Sequence, residues 1–404
     1  MHKTTTLPLS RRARLAAGLG PWLTGLAPLM ALAHLVVEAG FNFLPVTYPL
    51  LIPRLGLSYG QIGTAVLLAT TTSSLAQPAF GWLSDHTDPR VLAVAGLIWG
   101  GALMGLVGFM PSYGALVALV VLAGLGLAAF HPPAAALSSL AAAGSRGRAM
   151  SLFSVGGNLG AALSPLLVGL ALSAGGLAAT TVLIPLSLLA GLLLARRLRG
   201  LPVARLGHAG VDAAGRNSAA ALAAIILVVG ARSYYQLALM TYLPEWLRGQ
   251  GGSLALAGAA LTLFMIAVSI GSLFGGALSD RFGRLLVIAG SLALMGVGHW
   301  LLLRLSGAPQ IGAVALIGLM IGASFPVSIV LAQEAWPRSV GFASAMVMGI
   351  GWLPAGLGAW VVGQIADAST LTDGLRSLAF APLVALAATA VFFAILHRDR
   401  AAQG

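Results

Sequence analysis

The sequence predicts an all-α polytopic membrane protein with twelve transmembrane helices in two six-helix halves. Apolar residues make up 58% of the 404 and charged residues only 8%, whereas a soluble protein has about 25% charged residues. Runs of about 20 apolar residues, the length that spans a bilayer, recur along the chain. Several short patterns of the first half also return in the second half.

Twelve apolar runs define the predicted spans. They cover 24–51, 59–80, 90–110, 113–141, 147–172, 176–196, 218–247, 253–278, 284–305, 309–334, 339–367 and 375–397. The longest polar interruption, 197–217, lies near the midpoint of the chain. We therefore predict an N-terminal half at 1–200, a cytoplasmic linker at 201–217 and a C-terminal half at 218–404.

The basic residues indicate how the chain is oriented in the membrane. If the N-terminus is cytoplasmic, seventeen Lys and Arg residues lie on that side and four on the other, as the positive-inside rule expects. This predicts an inner-membrane protein with both termini in the cytoplasm. The net charge of +12 thus follows membrane topology, and we expect no nucleic-acid partner. The absence of cysteine excludes disulfides and thiolate metal sites.

The two halves repeat each other at a nearly constant spacing. The sequence GWLSD at 81–85 returns as GALSD at 276–280. Thr47-Tyr48 matches Thr241-Tyr242, and Pro132 matches Pro326, in each case 194 residues later. The pattern indicates duplicated halves related by an axis along the membrane normal.

The loops after the second and eighth spans share a further motif, GxLSD followed by basic residues. Its residues are Gly81, Asp85 and Arg90 in the first copy and Gly276, Asp280, Arg281, Gly283 and Arg284 in the second. The motif resembles the signature loop of the major facilitator superfamily, although His86 and Asp88 depart from it. We interpret it as a structural latch rather than a substrate site. Glu334, near these arginines in the predicted topology, is interpreted as structural as well.

Three longer segments narrow the resemblance. They are AHLVVEAGFNFLPVTYPLL at 33–51, AFHPPAAALSSLAAAGSRGRAMSLFSVGGNLGAALSPLL at 129–167, and AQEAWPRSVGFASAMVMGIGWLPAGLGAWVVGQIAD at 332–367. They resemble spans of the fosmidomycin resistance group of that superfamily, and the similarity runs from about residue 25 to 395. The resemblance implies a proton-driven efflux permease for fosmidomycin-like or other small drugs, and a monomer. The Gly-Pro pair typical of antiporters is absent from the fifth span, where Pro165 follows Ser164.

An ionisable stripe lies inside the first span. His34, Glu38 and Asn42 are spaced four residues apart and therefore share one helix face. Glu38 lies about 21 Å from a helix start near residue 24, within a hydrocarbon core of about 30 Å. A carboxylate at that depth must face a cavity or a partner, or be protonated. We predict that Glu38 carries the transported proton, with His34 and His131 of the F-H-P-P sequence as further proton-coupling candidates.

Arg232 is the repeat mate of Glu38, since it lies 194 residues later. Mates lie at equal depth on opposite sides of the pseudo-axis, so we expect the acid and the base to face each other across a central cavity. The alternative is a structural ion pair between the halves. A fixed cation with forked donors suits a carboxylate or phosphonate, which makes Arg232 the first substrate-binding candidate.

Other polar residues are weaker substrate-binding candidates. Taken singly, each could instead form a hydrogen bond between two helices. They are Asn42, Tyr48, Gln77, Asn158, Tyr234, Tyr235 and Gln236. Gly156 and Gly160 form a G-x-x-x-G pattern in the fifth span that predicts close helix packing.

The sequence contains no phosphate loop, metal-ligand cluster or catalytic triad, so we expect no ATPase, cofactor, metal or enzymatic activity. Three hypotheses remain for a protein whose partners are protons, lipid and a small molecule. The first is a proton-coupled drug exporter working by alternating access, and the second a proton-symport importer of a small organic anion. The third is a receptor or scaffold that does not transport.

Overall fold

The computed structural model describes residues 26–140, 146–199, 217–339, 343 and 346–401, which contain helices and no strand. All of the predicted linker except residue 217 lies outside the described residues. Ten segments of the described chain are long and apolar enough to cross a membrane, and one of them, Leu152–Leu198, holds two of the predicted spans. The remaining predicted span is the 28-residue helix Tyr59–His86, whose hydroxyl-rich run at 70–74 makes it more polar.

The first half contains seven helices in its described part. They are α1 Leu26–Asn42, α2 Leu44–Leu55, α3 Tyr59–His86, α4 Pro89–Met104, α5 Tyr113–Leu140, α6 Arg146–Gly175 and α7 Leu183–Leu198. The first predicted span is thus two helices, α1 and α2, which break at Phe43. Pro45 in the first turn of α2 has no N–H to continue the ladder of α1.

The second half has the same order of long helices. They are α8 Ala219–Gly249, α9 Leu254–Phe282, α10 Arg284–Arg304, α11 Gly307–Ala335, α12 Leu353–Ala368, the short α13 Leu371–Arg376 and α14 Phe380–Ala401. Short 3-10 segments at 350–352 and 377–379 lead into α12 and α14.

Equivalent helices pack alike in the two halves. The pairs α1–α6, α3–α5 and α4–α5 have counterparts in α8–α12, α9–α11 and α10–α11. A Cβ atom added to Gly81 would lie 3.8 Å from Cβ of Pro132, and one added to Gly276 would lie 4.0 Å from Cβ of Pro326. This similar packing is what the predicted duplication leads us to expect.

Helices α1 and α6 approach closely enough to exclude side chains. A Cβ atom at Gly156 would lie 2.0 Å from the carbonyl oxygen of Ala31, and one at Gly160 would lie 2.1 Å from that of Leu35. The close packing predicted from the G-x-x-x-G pattern is confirmed, and it brings α6 against the polar stripe of α1.

In the described chain the halves meet mainly along two helix pairs, α3 with α12 and α6 with α9, and less extensively where α2 contacts α8 and α9. At one end of the first pair, the Asp367 carboxylate accepts hydrogen bonds from the backbone N–H groups of Tyr59 and Gly60, both at 2.8 Å. The Tyr242 hydroxyl lies 2.7 Å from the Tyr59 carbonyl oxygen and 3.0 Å from that of Ala359. We call these contacts the outer seam, because the predicted topology places them on the side away from the cytoplasm.

Candidate functional site

The polar stripe of α1 forms a hydrogen-bonded cluster around Glu38. Asn42 donates its side-chain N–H to Glu38 Oε2 at 2.8 Å and to the Glu38 backbone oxygen at 2.9 Å. His34 Nε2 lies 3.5 Å from Glu38 Oε1, and the Glu38 side chain is 22% exposed. The predicted shared face of these three residues is therefore present.

His131 joins this cluster from α5. Its Nε2 atom lies 3.0 Å from Glu38 Oε1 and 3.2 Å from His34 Nε2. Pro132 and Pro133, which follow it inside α5, have no N–H to donate, so the helix ladder is weakened at this level. We refer to His34, Glu38, Asn42 and His131 as the Glu38 cluster.

The backbone fixes the tautomers of both imidazoles. His34 Nδ1 lies 2.9 Å from the carbonyl oxygen of Phe153, and His131 Nδ1 lies 3.0 Å from that of Leu127. Because a carbonyl oxygen only accepts, we infer that each ring donates through Nδ1–H. The His34 ring also stacks on Phe153, with ring centroids 4.0 Å apart.

This arrangement requires a proton in the centre of the Glu38 cluster. In two neutral histidines with Nδ1–H, both Nε2 atoms are acceptors that face the carboxylate oxygen Oε1 of Glu38. Three acceptors at separations of 3.0 to 3.5 Å repel one another unless a proton lies among them. That proton sits on His131 beside an ionised Glu38, or on Glu38 itself.

The same three atoms also have a spacing suited to ligands of a small metal ion. A proton relieves the closest of these contacts, His131 Nε2 with Glu38 Oε1 at 3.0 Å, and we assign no metal to the Glu38 cluster. The prediction that the protein needs no metal stays a prediction.

Arg232 is almost fully buried in α8, with 1% of its surface exposed. Its Nη1 donates to the Ser324 hydroxyl oxygen at 3.3 Å, and its guanidinium carbon lies 4.9 Å from the centre of the Phe325 ring. Its Nε and Nη2 atoms are buried and have no hydrogen-bond partner among the described residues. In the described part of the chain, Glu38 and Arg232 form no ion pair with each other.

The surroundings of Glu38 and Arg232 are related by the duplication. Phe325 lies 194 residues after His131, so Arg232 contacts the repeat mate of the residue that Glu38 contacts. The first half thus places the Glu38 carboxylate beside the His131 imidazole. The second half places the Arg232 guanidinium over the Phe325 ring. Neither Phe325 nor Ser324 was predicted as a site residue. The spacing of 194 residues could have identified Phe325 as the mate of His131, whereas no sequence pattern marks Ser324.

Two of the weaker substrate-binding candidates have structural partners. The Tyr235 hydroxyl lies 2.9 Å from His299 Nδ1, in a buried pair. Gln236 is 8% exposed and donates to the sulfur of Met240 at 4.0 Å. The Tyr235 contact agrees with the alternative interpretation as a bond between helices, whereas the Gln236 contact lies within α8.

The remaining candidates are spread over the molecule. Tyr48 is 3% exposed and packs within the apolar core. Tyr234 lines an apolar groove of about 830 Å³ beside Pro354. Gln77 is half-buried and Asn158 is exposed. None of these four makes a described contact with the Glu38 cluster, so their role in binding stays a prediction.

The two copies of the loop motif differ in their ion pairs. In the first copy Arg90 binds Asp88, with Nη2–Oδ2 at 2.7 Å, and Asp88 caps the N-terminus of α4. The side chain of Asp85 lies outside the described residues. The Arg90 guanidinium keeps the pKa of the Asp88 carboxyl below its usual value through a side-chain hydrogen bond. The departure from the motif at Asp88 therefore provides the partner of Arg90.

In the second copy, Arg284 pairs with Glu334 of α11, so the predicted neighbourhood of Glu334 is confirmed. Gly283 has a φ of +89°, which favours glycine over L side chains. Arg281 lies over the Phe282 ring at 5.2 Å, and Asp280 is exposed. The Arg284–Glu334 pair joins the start of α10 to the end of α11, and Arg90 also donates to the Leu198 carbonyl oxygen at the end of α7 at 3.5 Å. The latch role stays a prediction.

The fold defines a polytopic helical membrane protein. The family model of the major facilitator superfamily matches residues 30–251 and 220–404, and the chain belongs to this superfamily. It is a secondary transporter by family.

Relatives in two bacteria carry the comparison further. The chain is 30% identical to the fosmidomycin resistance protein of Escherichia coli (strain K12) over 378 residues, which cover 90% of this chain and 91% of the relative. It is 31% identical over 375 residues to an uncharacterised transporter of the same superfamily from Bacillus subtilis (strain 168), covering 89% and 91%. The predicted resemblance to the fosmidomycin resistance group is confirmed.

Solved structures show the same fold. A bacterial homologue of the human lysosomal transporter Spinster, in an inward-facing and occupied conformation, superposes with a TM-score of 0.80 at 15% identity, covering 92% of this chain and 96% of that one. The nucleoside transporter NupG superposes with a TM-score of 0.72 at 14% identity, covering 90% and 99%. At such identities the likeness concerns the fold alone.

Proposed function

We propose that this protein is a proton-coupled exporter of small toxic compounds, fosmidomycin-like molecules among them. It works by alternating access, in which the two halves rock about a site near the middle of the membrane. We place it in the inner membrane as a monomer with cytoplasmic termini. The halves at 1–200 and 218–404 move about the linker at 201–217.

The Glu38 cluster is the observation that carries proton coupling. Its three converging acceptors need a proton, and its carboxylate is partly exposed, so a proton can be exchanged without unfolding the site. Intramembrane carboxylates are costly and mark proton pathways. The relative named for fosmidomycin resistance supports export as the direction.

Exchange requires that the proton and the substrate exclude each other. A cationic or neutral compound that competes for the Glu38 carboxylate meets this requirement directly. An anion near the site would instead favour protonation of Glu38, which couples the two in the same direction. Export of an anion also gains about 2.3 kcal/mol per charge for each 100 mV of inside-negative potential, so such an export needs only weak proton coupling.

The test compares wild type with Glu38→Gln in a drug-sensitive host and in inverted membrane vesicles. Wild type is expected to protect against fosmidomycin or another member of a panel of toxic compounds, and to release protons when that compound is added. Glu38→Gln is expected to reach the membrane and to lose both activities, because the amide cannot carry the proton.

The matched control is Asp373→Asn, since Asp373 pairs with Arg376 and Thr370 far along the chain from the Glu38 cluster. It should retain wild-type protection. Wild-type activity in Glu38→Gln would remove Glu38 from the mechanism. Loss of protection in both variants would show that the assay reports general damage.

Symport of a small organic anion is the second candidate, favoured by the Arg232 guanidinium, whose Nε and Nη2 have no partner among the described residues. In right-side-out vesicles with an acidic exterior, an importer accumulates a labelled anion, whereas an exporter does not. The two functions share the fold and the proton site and differ in the direction of coupling.

A further inference from the structure

The buried guanidinium of Arg232 has one nitrogen with a hydrogen-bond partner and two nitrogens without a partner among the described residues. The tip atom Nη1 donates to Ser324, whose hydroxyl in turn donates to the Ile321 carbonyl oxygen at 2.8 Å. The guanidinium carbon lies over the Phe325 ring, 4.9 Å from its centre. Nε and Nη2 lie along the same edge of the planar group and have no partner in the described structure.

The carboxylates that lie within the described part of the chain do not neutralise this cation. Glu38 is held by the two histidines and Asn42, and Glu334 pairs with Arg284. Asp367 accepts from backbone amides of α3, and Asp88 and Asp373 pair with nearby arginines. Glu245 lies beside Tyr59, and Asp280 is exposed. A buried charge without a counter-charge destabilises a fold, and the described residues supply none, so a ligand of opposite charge would stabilise this arrangement.

We propose that the Nε–Nη2 edge of Arg232 binds one oxyanion group of the substrate, a carboxylate or a phosphonate. Two parallel N–H···O bonds along this edge match the two oxygens of such a group. The inference rests on the proposed transport function, because it names the class of molecule carried. The substrate therefore bears at least one acidic group while it is bound.

The neighbours of Arg232 set how the anion lies. Nη1 is bonded to Ser324 and the guanidinium carbon lies over the Phe325 ring. These two contacts restrict rotation of the guanidinium and fix the direction of the Nε–Nη2 edge. Lysine has a single ammonium group and lacks this fork. The edge atoms have no exposed surface in this structure, so the anion reaches them in another arrangement of the helices, and its binding shifts the population toward that arrangement.

The test is oxyanion binding by the purified full-length protein, without a proton gradient. Thermal unfolding is followed while sodium methylphosphonate or sodium acetate is added, with sodium chloride at equal ionic strength as the baseline. Ligands that bind only the native state raise the unfolding temperature in a saturable way. Wild type should show a saturable rise of about 2–4 °C.

Arg232→Met should lose this rise, and Arg232→Lys should need at least about tenfold more oxyanion, equivalent to about 1.4 kcal/mol. The matched control is Arg304→Met, because Arg304 also lies over an aromatic ring, that of Trp300 at 5.2 Å, but in the last turn of α10. It should respond as wild type does. If Arg232→Met fails to fold, the comparison with Arg232→Lys decides.

An unchanged response in Arg232→Met or Arg232→Lys, or no response of wild type to either oxyanion, would overturn the inference. Export of neutral compounds by wild type, measured separately, distinguishes this result from the proposed function. Intact export of neutral compounds without any oxyanion binding would contradict the oxyanion site at Arg232 and leave the proposed export function standing.

Discussion

Gly157 controls where the His34 imidazole lies. A Cβ atom at position 157 would come within 2.4 Å of His34 Cε1 and 2.6 Å of its Nε2. The glycine is therefore the reason that the ring can stack on Phe153 and still reach Glu38. The G-x-x-x-G spacing predicts helix packing for Gly156 and Gly160 and assigns no role to Gly157.

Gly157→Ala is expected to fold and to displace His34 from the Glu38 cluster, because an imidazole can rotate away whereas a backbone cannot. Hydrogen bonds to charged groups contribute about 1.5–3 kcal/mol, so proton-linked transport should fall by about tenfold or more. Initial rates in inverted vesicles measure this effect. Gly290→Ala, at a helical glycine with open space around it, is the control, and equal rates in the two variants would contradict the role of Gly157.

At the scale of elements, the outer seam joins α3 of one half to α12 of the other through few but directional contacts. A Cβ atom at Gly60 would lie 2.5 Å from the Gln364 side chain, and one at Gly363 would lie 2.4 Å from the Tyr59 carbonyl oxygen. The Asp367 carboxylate faces the positive end of the α3 helix dipole. Closure of the outer seam thus depends on the close approach of α3 and α12 at glycines and on the charge of Asp367.

Asp367→Asn is expected to weaken the outer seam, because it removes a charge worth about 1 kcal/mol at a helix N-terminus, equivalent to about a fivefold change in population. The chain has no cysteine, so Leu67→Cys, placed where α3 meets Gly356, provides a single reactive thiol. Its labelling by a membrane-impermeant maleimide in intact cells should be about fivefold faster in the Asp367→Asn background.

Asp373→Asn is the control for this experiment, because its partners lie within its own half. Labelling in that background should proceed at the rate of Leu67→Cys alone. An unchanged rate with Asp367→Asn would mean that the carboxylate does not hold the two halves together.

At the scale of the whole molecule, the charge distribution predicts the orientation. Ser306 lies in the exposed connection between α10 and α11, and Thr87 lies in the exposed connection between α3 and α4. An impermeant maleimide should label Ser306→Cys in intact cells, and Thr87→Cys only after permeabilisation. The reverse pattern would invert the proposed topology and place the outer seam on the cytoplasmic side.

Much of the fold could be predicted from the sequence, because hydrophobic length fixes where helices cross a bilayer and the spacing of 194 residues shows the duplication. The break of the first span at Phe43 was not predicted, since proline near a helix start is compatible with either one helix or two. For the site, the stripe of α1 predicted the contacts of Glu38 with His34 and Asn42. The stacking of Arg232 on Phe325 depends on tertiary packing between α8 and α11, which one sequence does not display.

The N-terminus of α3 has a second cap besides Asp367. The Ser58 side chain accepts from the Gln61 backbone N–H at 3.2 Å, and the Gln61 side chain accepts from the Ser58 backbone N–H at 2.9 Å. This capping box belongs to α3 itself and remains in place when α12 moves away. In the proposed alternating access, separation of the halves would therefore hydrate the amides of Tyr59 and Gly60 without fraying the first turn of α3. Helix α3 would then move as a rigid body and form the same contacts again when the halves close.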